Sequence, residues 1–137
     1  MVLKGAPRLT LRVMQRYRIM PYPDQPDEWK VSTAAYLYAL ETADGHEVLS
    51  YHWQPEEAGE VIYPHLHLGP AGATGGLLHR KLHLPTGRIA LEDVLRLAIT
   101  QMGVEPARRD WAKVLDETQA RFEVAQTWAT SSGKPSR

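Results

Sequence analysis

The stretch Tyr36-Leu37-Tyr38-Ala39-Leu40-Glu41-Thr42-Ala43-Asp44-Gly45-His46-Glu47-Val48-Leu49-Ser50-Tyr51-His52-Trp53 reads as two strands joined by a tight turn. The run from Lys30 to Glu41 is rich in Val, Thr, Tyr, Leu and Ala. Asp44-Gly45 then supplies residues that accept the positive φ angles of a short hairpin, and Val48 to Gln54 returns as the partner. On the returning strand Val48, Ser50, His52 and Gln54 share one face and Leu49, Tyr51 and Trp53 the other. One face of an antiparallel sheet can therefore be buried.

Toward the N-terminus, Leu9, Leu11 and Val13 alternate with Thr10, Arg12 and Met14, which predicts a strand with one basic face. Between this strand and the hairpin, three prolines fall within Pro21-Tyr22-Pro23-Asp24-Gln25-Pro26-Asp27, and the expectation is a connecting loop. Toward the C-terminus, a polar loop over Pro55 to Glu60 leads into Val61 to Leu68. There Val61, Tyr63, His65 and His67 share one face, and Ile62, Leu66 and Leu68 face the core. Gly69 to Gly76 is a glycine-rich loop without the Lys-Ser/Thr of a nucleotide-binding P-loop. Arg80 to Leu84 predicts one more short strand, ended by Pro85-Thr86-Gly87.

The remainder is helical. Leu91, Val94, Leu95, Ala98 and Met102 keep the spacing of a buried stripe, with Glu92 and Asp93 in the first turn and Gly103 as the stop. Asp110 is placed to cap a second helix with the stripe Trp111, Leu115, Thr118, Phe122 and Ala125. These elements predict one α+β domain over residues 1–129: about four to five antiparallel strands followed by two C-terminal helices packed on one face. Residues 130–137 form a short disordered tail.

Composition narrows the function classes. With 43% hydrophobic and 23% charged residues the chain can build one core, and no apolar run reaches the roughly 18 residues of a membrane span. The absence of cysteine excludes disulfides and thiolate chemistry, so a metal would need His, Asp, Glu or water, and a cytoplasmic location is expected. Net charge is zero but segregated. Residues 1–23 hold five basic groups and no acid, residues 24–60 nine acids against Lys30, and residues 61–91 Arg80, Lys81 and Arg88 with no acid. A local positive field of this kind can attract an anion even in a neutral molecule. Arg108 and Arg109 oppose the dipole of the second helix, which points to an anion or an acidic neighbour. Trp29, Trp53, Trp111 and Trp128 offer stacking surfaces for bases, but large aromatics more often pack, and Trp111 is expected in the core.

The chemistry concentrates in histidine. His52, His65, His67, His79 and His83 fall within 32 positions that also hold Trp53 and Tyr63, with Tyr51 immediately before them. His65-Leu66-His67 on a strand projects two imidazoles from one face with Cβ atoms roughly 7 Å apart. Three readings compete. In the first, His65 or His67 acts as base and His83 as acid in RNA cleavage, Lys81 or Arg80 stabilises the phosphorus centre, and Arg88 and His52 help hold the substrate. No cofactor is needed. In the second, His65, His67 and His83 bind Zn²⁺ or another divalent metal. In the third, the histidines satisfy backbone groups of a non-enzymatic binding protein that dimerises through its hairpin edge.

The order Asp44-Gly45-His46-Glu47-Val48-Leu49-Ser50-Tyr51-His52, Pro64-His65-Leu66-His67, His79-Arg80-Lys81-Leu82-His83-Leu84-Pro85 and Leu91-Glu92-Asp93-Val94-Leu95 resembles the small TumE-type toxins of bacterial toxin–antitoxin pairs, over about residues 31 to 100. Here Gly69 to Leu78 interrupt the histidine segment and Leu82 separates Lys81 from His83, where that family's segment is more compact. The resemblance implies an RNA-directed toxin restrained by an antitoxin-like partner, with His65, His67, Lys81 and His83 as the positions carried over.

Overall fold

The computed structural model describes residues 1–22, 24–55, 61–73 and 82–125. Five strands, β1 (Leu9–Tyr22), β2 (Gln25–Thr42), β3 (Glu47–Trp53), β4 (His65–Leu68) and β5 (Leu84–Pro85), pair in sequence order as one antiparallel sheet. Helices α1 (Leu91–Gln101) and α2 (Trp111–Ala125) follow. The architecture is the expected α+β arrangement. The expected strand Arg80 to Leu84 falls partly outside the described residues, as do His79, Trp128 and the whole of the expected tail.

Register sorts the side chains onto two faces. Leu9 and Leu11 on β1, Tyr36, Tyr38 and Leu40 on β2, and Leu49, Tyr51 and Trp53 on β3 lie together on the face that α1 covers through Val94 and Ala98. Tyr36 and Tyr38 stack with centroids 4.8 Å apart, and Tyr36 also packs tilted on Trp53 at 5.9 Å. Burial pushes both tyrosine hydroxyls upward in pKa, so they stay protonated and act as donors and acceptors. The Tyr36 hydroxyl accepts the Ile89 N–H at 3.1 Å, tying the segment before α1 to the middle of the sheet.

Local chemistry ends the elements where the pattern predicts. Gly45 takes φ 84° in the β2–β3 turn, which closes with Thr42 and His46 exchanging hydrogen bonds. Asp93 accepts the Ala90 N–H at 2.9 Å and so serves one of the orphan amides at the start of α1, while its other oxygen accepts from Gln119 of α2. Arg96 and Asp116 join the two helices a second time.

Two expectations are corrected. The proline-rich segment is not a loop between elements: β1 runs on through Pro21 to Tyr22 and β2 begins at Gln25, with Pro21 opposite Trp29. The physical reason is edge geometry. Leu11 directs its N–H away from β2 to the Met1 carbonyl, and by strand alternation Pro21 has its nitrogen on the same outer edge, where no ladder bond is lost. The second correction concerns Asp110. Its carboxylate does not cap amides of α2 but binds Arg108 twice, at 2.9 and 2.7 Å. The acidic neighbour that the Arg108 charge called for is therefore two residues away in the chain.

Candidate metal centre

The sheet face opposite α1 carries the even-numbered series of β1 and β3 and the odd-numbered series of β2 and β4. His52 on β3 is directly opposite His65 on β4, and Ser50 is opposite His67. Leu37 and Ala39 on β2 continue the row inward from His52 and Ser50, and Arg12 on β1 lies beyond Ala39. Four imidazoles gather here. Ring centroids are 4.6 Å apart for His52–His67, 4.7 Å for His65–His67, 5.6 Å for His52–His65, 4.4 Å for His67–His83 and 5.0 Å for His65–His83.

Hydrogen bonding assigns the tautomers of the central pair. His65 Nδ1 lies 2.8 Å from the Tyr63 carbonyl, which can only accept, so this nitrogen carries the proton. In neutral His65 the Nε2 is then a lone pair, and it meets His67 Nε2 at 2.9 Å, which makes His67 the donor between them. A backbone carbonyl holding Nδ1–H and presenting Nε2 is the usual outer support of a metal-binding imidazole. His65 is buried at 6% exposure, so the lone pair cannot simply be turned into bulk water.

His52 completes the set. Its Nε2 is buried with no hydrogen-bond partner, an arrangement that is unfavourable for a polar nitrogen unless a ligand meets it. One ligand nitrogen each from His52, His65 and His67 lies within 4.8 Å of the others. Tetrahedral Zn²⁺ with bonds of about 2.0–2.1 Å needs its nitrogens roughly 3.3 Å apart, a spacing that lies between the 2.9 Å of the His65–His67 pair and the 4.8 Å limit of the set. His83 packs edge-on against this trio but is not one of the three converging ligands.

Burial first, then the neighbouring His67, His65, Arg12 and His83, push His52 down to about 4, so it is neutral and ligand-competent near pH 7. The unfolded chain, with a histidine pKa of about 6.5, takes up the proton first. The stabilisation is therefore complete above about pH 6.5 and is lost as pH falls toward 4. Metal-free protein is expected to show a Tm that declines across this window, and His52→Leu to flatten the decline. Thermal unfolding in a pH series measures both.

The residues named from sequence divide as follows. His52, His65, His67 and His83 come together. Lys81 and Arg80 lie outside the described residues. Arg88 does not join the cluster: its guanidinium sits 4.2 Å over the Trp53 ring, and Trp53 belongs to the face that α1 covers. The turn after Pro85 carries the chain from one side of the sheet to the other, which separates Arg88 from His83. His52, expected as a substrate contact, stands with His65 and His67 where the metal-binding alternative had placed His83. The register was not readable: by symmetry a hairpin centred on the Pro55 to Glu60 loop would set residue 52 opposite residue 63, two residues short of the observed partner His65.

No family model, curated protein or solved structure matches the chain. The resemblance to TumE-type toxins accordingly rests on the quoted residues alone. No helix among the described residues is long and apolar enough to cross a membrane.

Proposed function

We propose that this chain is a divalent-metal-binding protein, with Zn²⁺ as the best-suited ion, held by His52, His65 and His67. The observation that carries the reading is the convergence of three imidazole nitrogens within 4.8 Å, one anchored through its far nitrogen by the Tyr63 carbonyl and one buried without a partner. All-nitrogen donors suit zinc and its borderline neighbours better than Mg²⁺ or Ca²⁺, which take oxygen. Three protein ligands leave a fourth position for water or substrate, the arrangement of catalytic rather than closed structural zinc. A bound ion would lower the pKa of that water and supply a hydroxide for hydrolysis, with His83 beside the centre as a proton acceptor.

A metal-free acid–base pair for RNA cleavage, His65 or His67 with His83, fits less well. Such a pair must flank a phosphate, whereas the His83 ring lies in edge contact with both, at centroid distances of 5.0 and 4.4 Å. The cysteine-free composition supports a cytoplasmic setting.

The test is titration of purified, chelator-stripped protein with Zn²⁺. One equivalent is expected to bind, and at an ion concentration a hundredfold above Kd the folded state gains about 2.7 kcal/mol, a rise in Tm on the order of 10 °C. No rise with Zn²⁺, Co²⁺ or Ni²⁺, or RNA cleavage undiminished by chelators, would overturn the reading.

A further inference from the structure

Beyond Ala35, β2 is paired among the described elements only by β1, so the outer half of the β1–β2 hairpin continues past the sheet as a two-stranded arm. Its side chains continue the two faces of the sheet. On the side that α1 covers nearer the body, the arm presents Tyr17, Ile19, Trp29 and Val31, with Ile19 directly opposite Val31. These four are 61%, 64%, 64% and 49% exposed, whereas Lys30 and Ser32 on the other face are only 9% and 2% exposed. One face of this hairpin is thus covered at Lys30 and Ser32 while the four apolar side chains of the other stand in solvent, and a contiguous apolar cluster of that size marks a contact surface.

We infer that this face is the self-association surface of the chain, on which a second copy docks the same face of its own arm across a two-fold axis. Area supports this occupant. Residues of these sizes at these exposures offer roughly 500 Å² of removable surface per copy, so about 1,000 Å² in a pair, the lower bound of a specific interface. The patch is also self-complementary in the way a two-fold contact requires, because Tyr17 and Trp29 flank the Ile19–Val31 pair and meet their counterparts when two arms cross. This inference is independent of the metal centre, which lies on the opposite sheet face.

Sedimentation of the full chain tests it, with concentration varied from about 1 to 200 μM to span the micromolar Kd that an interface of this size supports. A reversible monomer–dimer equilibrium is expected, weakened on the order of thirtyfold or more by Ile19→Asp. Met20→Asp, which puts the same charge at the neighbouring position on the other face, should leave the equilibrium within a fewfold of the parent. The far-ultraviolet circular dichroism spectrum and cooperative urea unfolding of each variant serve as the check that the body is folded. A chain that stays monomeric throughout overturns the inference. So does a dimer indifferent to Ile19→Asp in a folded variant, or a monomer whose arm instead binds vesicles of anionic phospholipid.

Discussion

His67→Ala is expected to reduce zinc affinity well beyond the 10–100-fold typical of losing an outer-sphere partner, on the order of a thousandfold, because it removes one of three ligands. The structure makes a further demand on this variant. His67 is the donor that satisfies the His65 Nε2 lone pair in the absence of metal, so its loss leaves that nitrogen without its partner beside the already unpartnered Nε2 of His52. Metal-free His67→Ala should therefore unfold more easily as well as bind more weakly, by about 1–3 kcal/mol for an unsatisfied buried polar group. His83→Ala provides the contrast. That ring packs on the trio without converging with it, so its removal should change affinity less than tenfold if the fourth position is open to water. Competition with a chromophoric chelator at fixed pH measures both variants. Equal losses in the two would move the centre toward the His65, His67, His83 set and away from His52.

Tyr36→Ala carries the largest expected loss of stability, about 3–5 kcal/mol, since it empties a wholly buried aromatic position at the middle of the core. The loss has separable parts. The ring stacks on Tyr38 and leans on Trp53, while the hydroxyl accepts the Ile89 N–H that positions the entry to α1. Tyr36→Phe keeps the ring contacts and orphans only that amide, so it should destabilise by about 1–2 kcal/mol. Tyr36 points to the face away from the histidines, and Tyr36→Phe should bind zinc as the parent does. Urea unfolding followed by far-ultraviolet circular dichroism gives the two stabilities. A phenylalanine variant as damaged as the alanine one would place the whole contribution in the hydroxyl.

The two sides of the sheet differ in how they could be known. Alternation along Leu49, Tyr51 and Trp53 against Ser50 and His52 was readable because period-two patterning is a local property, as was the α1 stripe ending at Gly103. The Asp44-Gly45 turn was readable for the same reason, since its demand for a positive φ concerns one residue. The arm was not. Pro21 and Pro26 argue against a central strand, and among the described residues this stretch has no further strand beside it, which makes them compatible with a ribbon.

Residue chemistry alone gave the cysteine-free α+β character of the chain and its run of histidines, because composition and short-range periodicity need no knowledge of neighbours. Which imidazoles meet was decided by strand pairing. A shift of one residue between β3 and β4 would send His52 and His65 to opposite faces, and that choice is made by which leucines and tyrosines find α1. Arg88 makes the same point from the other side: close to His83 in the chain, it is held across the sheet by the face of Trp53.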